Sequence, residues 1–150
     1  MTVALVVRRT IATGARRVYD AWVSPSQLRS WWGPAGVRCS HAEVDLRVGG
    51  KLRIGNEFAD GRTLWIVGEF VEIVPAERLV YTWRVEPASA GSEDAERVTV
   101  RFEARGPRET EVIVVHERIA SEAARTGHEA GWIGCLDGLM SFVASESNSI

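Results

Sequence analysis

The sequence has little lysine and cysteine and no long apolar segment, and each shortage excludes a class of protein. Lys51 is the only lysine, and although arginine is frequent the net charge is −2, so we expect no basic surface for nucleic acid or acidic lipid. No apolar run approaches the roughly 20 residues of a membrane-spanning helix, and the N-terminus lacks the apolar core of a signal peptide. We therefore predict a cytoplasmic protein that binds neither nucleic acid nor a membrane.

Metal-binding and redox motifs are also missing. Cys39 and Cys135 stand alone, without the spacing of a metal site or a redox pair, so each is predicted to be a small buried apolar residue. The histidines lack metal-ligand spacing, and the chain has neither a glycine-rich phosphate loop nor a nucleophile elbow. The sequence thus predicts no metal site, and it leaves the catalytic residues, if there are any, unidentified.

Tryptophan is the one residue type in excess. Six tryptophans occur in 150 residues, whereas the apolar share of 45% and the charged share of 25% are ordinary. A chain of this length is predicted to form one domain, residues 1–150, with a sizeable core. That core has to accommodate large flat side chains.

The N-terminal part predicts one strand followed by two short helices. Thr2–Ile11 is rich in β-branched residues, and the apolar residues of Ala15–Val23 have helical spacing. Ser24 and Pro25 then end the first helix and begin a second one, which Gly33 stops. The second helix carries three large apolar side chains: Leu28, Trp31 and Trp32.

From residue 37 onward apolar and polar residues alternate, which is the period of a β-strand. Six strands are predicted: Val37–Val48, Lys51–Ala59, Thr63–Val74, Arg78–Glu86, Arg97–Arg105 and Thr110–Ile119. Short turn sequences separate most of them, so consecutive strands should pair antiparallel as a meander. The low-complexity segment 87–96 is expected to form a mobile exposed loop.

Ser121–Ser145 predicts the longest helix. Eight of its side chains share one broad arc of the helical wheel: Ala124, His128, Trp132, Cys135, Leu136, Leu139, Phe142 and Val143. A narrower stripe beside this arc consists of Gly127, Gly131, Gly134 and Gly138, and each glycine costs about 1 kcal/mol relative to alanine in a helix. Either another backbone packs closely against the stripe, or the stripe leaves room for something else.

This order of elements predicts an α+β fold in which a curved seven-stranded antiparallel sheet wraps around the C-terminal helix. Alternation places one set of residues on the face toward that helix: Leu79, Tyr81, Trp83, Val98, Val100, Phe102, Val112, Val114 and His116. The space between sheet and helix is then either a small-molecule pocket with aromatic walls or a core filled by side chains. The glycine stripe favours a cavity.

Four motifs resemble one protein family. They are Pro25-x-x-Leu28-x-x-Trp31-Trp32-x-Pro34, Asp45-x-Arg47-x-Gly49-Gly50, Pro75-Ala-Glu-Arg78-Leu79-Val80-Tyr81-Thr82-Trp83 and His128-x-x-Gly131-Trp132. Together they resemble bacterial proteins related to the C-terminal domain of the heat-shock-protein ATPase activator, within the START-like helix-grip superfamily that also contains polyketide cyclases. The resemblance covers almost the whole chain and implies a helix-grip fold. It also implies a cavity that takes an apolar or amphipathic small molecule, with no metal, nucleotide or other cofactor.

Nine residues are candidates to line this cavity: Trp32, His41, Glu57, Tyr81, Trp83, Phe102, His116, Trp132 and Leu136. Some of these residues also fit a purely structural role. His116 fits a core histidine whose hydrogen bonds are satisfied, and Trp32 fits an anchor that holds the short helices on the sheet. His41 and Glu57 depend on strand register, since a slip of one residue turns either side chain outward. His128 is expected to fasten the start of the long helix by a hydrogen bond, and Asp45 to belong to a structural turn.

Three functions are compatible with these features. The leading hypothesis is binding of a hydrophobic or aromatic small molecule in the cavity. The alternative is a cyclase or dehydratase type of enzyme, in which the same cavity orients the substrate and His116 or Glu57 moves a proton. The third is a chaperone-associated interaction domain that uses the outer face of the sheet. An exposed strand edge would also allow two copies to pair as a homodimer.

Overall fold

The computed structural model describes residues 2–33, 36–86 and 95–147. In chain order the described elements are β1 (Val3–Ile11), α1 (Ala15–Val23), α2 (Pro25–Trp31), β2 (Val37–Val44), β3 (Lys51–Phe58), β4 (Thr63–Val74), β5 (Arg78–Glu86), β6 (Glu96–Gly106), β7 (Glu109–Ile119) and α3 (Glu122–Ser147). None of the helices in these ranges is long and apolar enough to cross a membrane.

All seven strands form one antiparallel sheet in the order β1-β7-β6-β5-β4-β3-β2. Strands β2 to β7 are therefore the predicted meander, and β1 joins it by pairing with β7. The sheet curls into a half-barrel around α3, as a twisted sheet does when it covers a helix. The predicted α+β fold class is confirmed.

Strand β2 ends at Val44 rather than at Val48, because the residues that follow form a tight turn. The Arg47 amide donates to the Asp45 carbonyl, and the Gly50 amide donates to the Arg47 carbonyl. A β-carbon at Gly50 would overlap the Asp45 carbonyl oxygen, so only glycine fits this position. The Asp45 carboxylate pairs with Arg47 at 2.9 Å within this turn, in agreement with the turn predicted there.

Strand β6 begins at Glu96, one residue earlier than predicted, and this corrects the prediction of a loop over residues 87–96. Residues 87–94 of that segment lie outside the described residues. Glu96 pairs with Trp83 of β5 and points to the same face as Val98. Glu96 is thus the first of the β6 side chains that point inward, and its carboxylate lies next to α3.

Five of the six tryptophans form one cluster that joins α1, α2, β5 and α3: Trp22, Trp31, Trp32, Trp83 and Trp132. Their contacting rings lie 5.0–6.4 Å apart between centroids. Trp132 stacks on Trp22 with 20° between the ring planes and meets Trp32 edge-on. These are favourable aromatic geometries, and they account for most of the unusual tryptophan content.

Helix α3 lies closest to one side of the half-barrel. Ser121 caps its N-terminus by accepting a hydrogen bond from the Ala124 amide at 3.1 Å. The helix packs against β1, β7 and α2, and over the described residues it makes no comparable backbone approach to β3, β4 or β5. A gap therefore remains between α3 and that half of the sheet.

Both cysteines are buried and free, as predicted. Burial raises the pKa of the Cys135 thiol to about 12 and also raises that of Cys39. A thiol with a raised pKa is a poor nucleophile, so both side chains act as small apolar residues.

Candidate functional site

The gap between α3 and strands β3 to β5 is a cavity of about 300 Å³. Its lining is mainly aromatic and aliphatic: Trp32, Asn56, Phe58, Leu64, Ile66, Trp83, Val85, Gly127, His128, Gly131, Trp132 and Cys135. Walls of this composition, with a few polar groups, are typical of small-molecule sites.

The glycine stripe of α3 has both of the roles that the sequence left open, since one part leaves space and another part allows close backbone packing. A β-carbon on Gly127 or Gly131 would meet no atom within 4 Å, and both residues line the cavity. About two turns further along the helix, a β-carbon on Gly138 would overlap the backbone carbonyl of Trp31. The stripe thus opens the cavity at its N-terminal end and admits α2 at its C-terminal end.

Three of the nine predicted residues line the cavity, namely Trp32, Trp83 and Trp132. Three others, Tyr81, Phe102 and Leu136, are buried at 1%, 3% and 0% exposure but lie in the packed core beside the cavity. The interior between sheet and helix is therefore partly open and partly filled.

His41 lies on the outer face of the sheet, because β2 contains a β-bulge. Cys39 pairs with Asn56 and His41 pairs with Gly55, so the ladder gains one residue between them. The extra residue reverses the alternation, and His41 faces outward instead of sharing the inner face with Cys39. There its ring contacts Trp65 at 5.3 Å between centroids.

Glu57 also points outward, where it pairs with Arg38 at 3.4 Å. Its neighbour Asn56 takes the inward position and lines the cavity. Asn56 Oδ1 accepts a hydrogen bond from Trp32 Nε1 at 3.1 Å. Sequence reasoning missed Asn56, although strict alternation with the buried Leu52 and Ile54 would have identified it.

His116 is fully buried and belongs to a chain of polar groups beside the cavity. Its Nδ1 accepts a hydrogen bond from Trp132 Nε1 at 2.9 Å, and its Nε2 lies 2.6 Å from Glu96 Oε1. His128 Nε2 lies 2.9 Å from the same carboxylate oxygen. The two imidazoles stack at 4.6 Å between centroids, with 16° between their planes.

The Trp132 indole fixes the protonation state of His116. An indole N–H can only donate, so the Nδ1 atom that receives it carries no proton. Nε2 must then hold the single proton and donate it to Glu96, and His116 is neutral. Burial, the largest effect, lowers the pKa of His116, in agreement with a neutral ring.

Glu96 is the charged centre of the network. Partial burial raises the pKa of its carboxyl, but the hydrogen bonds from His116 and His128 outweigh burial and hold the pKa at about 2. An ionised carboxylate only accepts hydrogen bonds, so His128 Nε2 also carries a proton. The prediction that His128 fastens the start of α3 to the sheet is correct, and Glu96 is the partner that sequence reasoning missed.

The atoms of Glu96, His116 and His128 lie within 4.8 Å of one another, close enough in principle to surround a metal ion. The donor chemistry does not fit one. Coordination through His116 Nε2 requires the ring proton on Nδ1, where it would oppose the Trp132 N–H. The site is therefore organised by hydrogen bonds.

We expect Zn²⁺ to leave the melting temperature of the wild-type protein unchanged within about 1 °C. A bound ligand at 100 times its Kd adds about 2.7 kcal/mol, which corresponds to several degrees in a domain of this size. Differential scanning calorimetry with and without Zn²⁺ measures the difference. Trp132→Phe is the comparison variant. It removes the indole N–H that opposes a proton on His116 Nδ1, so zinc can stabilise this variant. A rise of several degrees in the wild type would contradict the hydrogen-bond assignment.

Neither proton carrier suggested by the sequence contacts the cavity. His116 is enclosed between Trp132 and Glu96, and Glu57 lies on the outer face. Among the described residues, His128 and Cys135 are the titratable groups in the lining, and the raised pKa of Cys135 keeps that thiol protonated. The described lining thus contains one histidine, His128, in place of the two residues suggested by the sequence.

Comparison with known proteins identifies the family. A crystal structure from Chromobacterium violaceum matches with 26% identity and a TM-score of 0.80, over 93% of this chain and 96% of that one. An AHSA1-like protein from Aeromonas hydrophila, solved by NMR, matches with 22% identity and a TM-score of 0.78, over 97% and 94%. No curated protein matches the chain. Residues 12–144 match the family described as Activator of Hsp90 ATPase homolog 1-like protein, and the chain belongs to that family.

Proposed function

We propose that this protein binds a small hydrophobic or aromatic molecule in the cavity between α3 and strands β3 to β5. The observation that carries the proposal is the open volume beside Gly127 and Gly131, where side chains that would fill the space are missing. If the core were filled here, alanine or leucine could replace glycine at both positions. The helix would then be more stable, because both residues have a higher helix propensity than glycine. The glycines are explained if the volume has to stay open.

The size of the cavity limits the ligand. An engineered apolar cavity of about 150 Å³ binds benzene, so a cavity of about 300 Å³ accommodates roughly two fused rings. Indole faces from Trp32, Trp83 and Trp132 offer stacking surfaces to such a molecule. A long lipid chain or a large polyketide exceeds this volume.

Titration with 2-methylnaphthalene tests the proposal, because tryptophans in the wall report a bound ring through their fluorescence. We expect saturable binding to the wild-type protein and at least tenfold weaker binding to Gly131→Leu, whose side chain would enter the open volume. Ala130→Leu is the matched control, since Ala130 is the adjacent, exposed residue of the same helix. The proposal is wrong if one- and two-ring aromatic probes fail to bind the wild type, or if both variants bind equally.

A further inference from the structure

The polar groups of the cavity wall have fixed hydrogen-bond roles, and these roles restrict the chemistry of the ligand. Asn56 Oδ1 is occupied by the Trp32 indole N–H at 3.1 Å. The amide orientation is thereby set, and its NH₂ group remains as a donor at the cavity wall. Trp83, another lining residue, has its Nε1 buried without a hydrogen-bond partner among the described residues.

His128 supplies the complementary role. Its Nε2 proton points to Glu96 at 2.9 Å, so in the neutral imidazole Nδ1 is an acceptor. No described residue donates to Nδ1. Two of the side chains that line the cavity thus have unused hydrogen-bonding groups, a donor on Asn56 and an acceptor on His128, within otherwise apolar surroundings.

We propose, on the basis of the function proposed above, that the ligand is a small aromatic molecule with a hydroxyl group that donates to His128 Nδ1. The Asn56 amide donates to a ligand oxygen, and the indoles hold the ring. A hydroxyl is both donor and acceptor, so it satisfies this wall without any change of charge. A plain hydrocarbon would cover His128 Nδ1 and the Asn56 NH₂ group without pairing them, and a buried unpaired polar group is costly.

A carboxylate ligand fits the wall less well than a hydroxyl does. It brings no proton for His128 Nδ1, and it adds a second negative charge beside the ionised Glu96. Lining residues on the sheet side offer no compensating cation, since Asn56, Phe58, Leu64, Ile66, Trp83 and Val85 are all uncharged. The site therefore selects a neutral hydroxyl.

The test compares 2-naphthol, 2-methylnaphthalene and 2-naphthoate at pH 8 by tryptophan fluorescence. Hydroxyl and methyl groups are of similar size, so the first pair isolates the hydrogen bond. We expect 2-naphthol to bind the wild-type protein at least about fivefold more tightly than 2-methylnaphthalene, the ratio that a net hydrogen bond of about 1 kcal/mol gives. We expect 2-naphthoate to bind more weakly than 2-naphthol.

The ratio of the 2-naphthol affinity to the 2-methylnaphthalene affinity should fall to about one in His128→Leu. His41→Leu is the matched control, because His41 lies on the outer face, and it should keep the preference. Asn56→Leu is the second variant, in case His128→Leu does not fold, and the same affinity ratio should fall in it. Equal binding of 2-naphthol and 2-methylnaphthalene, or tighter binding of 2-naphthoate, overturns this inference and leaves the cavity proposal intact. Failure of all three probes overturns both.

Discussion

Replacing Gly138 with alanine is expected to lower the free energy of unfolding by about 2 kcal/mol. The new β-carbon would overlap the carbonyl oxygen of Trp31, which is backbone and belongs to the last turn of α2. Neither helix can yield freely, because Trp31 is buried and its indole donates to the Ala21 carbonyl at 2.9 Å. Overpacking costs about 1–3 kcal/mol, and an overlap with backbone belongs at the upper end of that range. The gain in helix propensity of about 1 kcal/mol offsets only part of it.

Gly127→Ala is the matched control for this prediction. It is the same substitution in the same helix, but its β-carbon would meet nothing within 4 Å. We expect it to stabilise the protein by up to about 1 kcal/mol through helix propensity alone. Urea unfolding of the two variants measures both changes. Similar stabilisation by both substitutions would show that α2 and α3 are not in close contact at Gly138.

The sequence was sufficient to predict the strands, their order in the meander and the inner face of the last three. Period-two alternation determines which residues face inward wherever the ladder is regular, as at Tyr81, Phe102 and His116. It fails where a bulge intervenes. A bulge adds one residue for geometric reasons that leave no clear mark in composition, so the orientation of His41 could not be predicted.

The candidate site was harder to predict than the fold. Glu96 follows a polar, low-complexity stretch and was assigned to a loop, although the alternation of β6 extends to it. The role of the glycine stripe depends on where α3 lies relative to α2, which is a tertiary property. Local sequence therefore identified Gly131 and Gly138 as unusual without distinguishing open space from close contact.

Acid should destabilise the protein over a wide pH range, through two groups, Glu96 and His116, whose effects have the same sign. The pKa of Glu96 is about 2 in the folded protein, compared with 4.5 ordinarily. Its contribution to stability is therefore present above about pH 4.5 and is lost as the pH falls towards 2. Burial lowers the pKa of His116, so the unfolded chain takes up a proton first, and stability begins to fall below about pH 6.5.

Glu96→Gln is expected to remove the lower part of this pH dependence. One pKa unit corresponds to about 1.4 kcal/mol, and because the Glu96 side chain is 22% exposed we expect a loss of about 2 kcal/mol at pH 7. That difference from the wild type should shrink to nearly zero by about pH 2, where Glu96 is itself protonated. Urea unfolding at intervals between pH 2 and 8 measures both curves, with Glu109→Gln as the control at an exposed carboxylate. A difference that stays constant with pH would mean that Glu96 acts through packing and not through its charge.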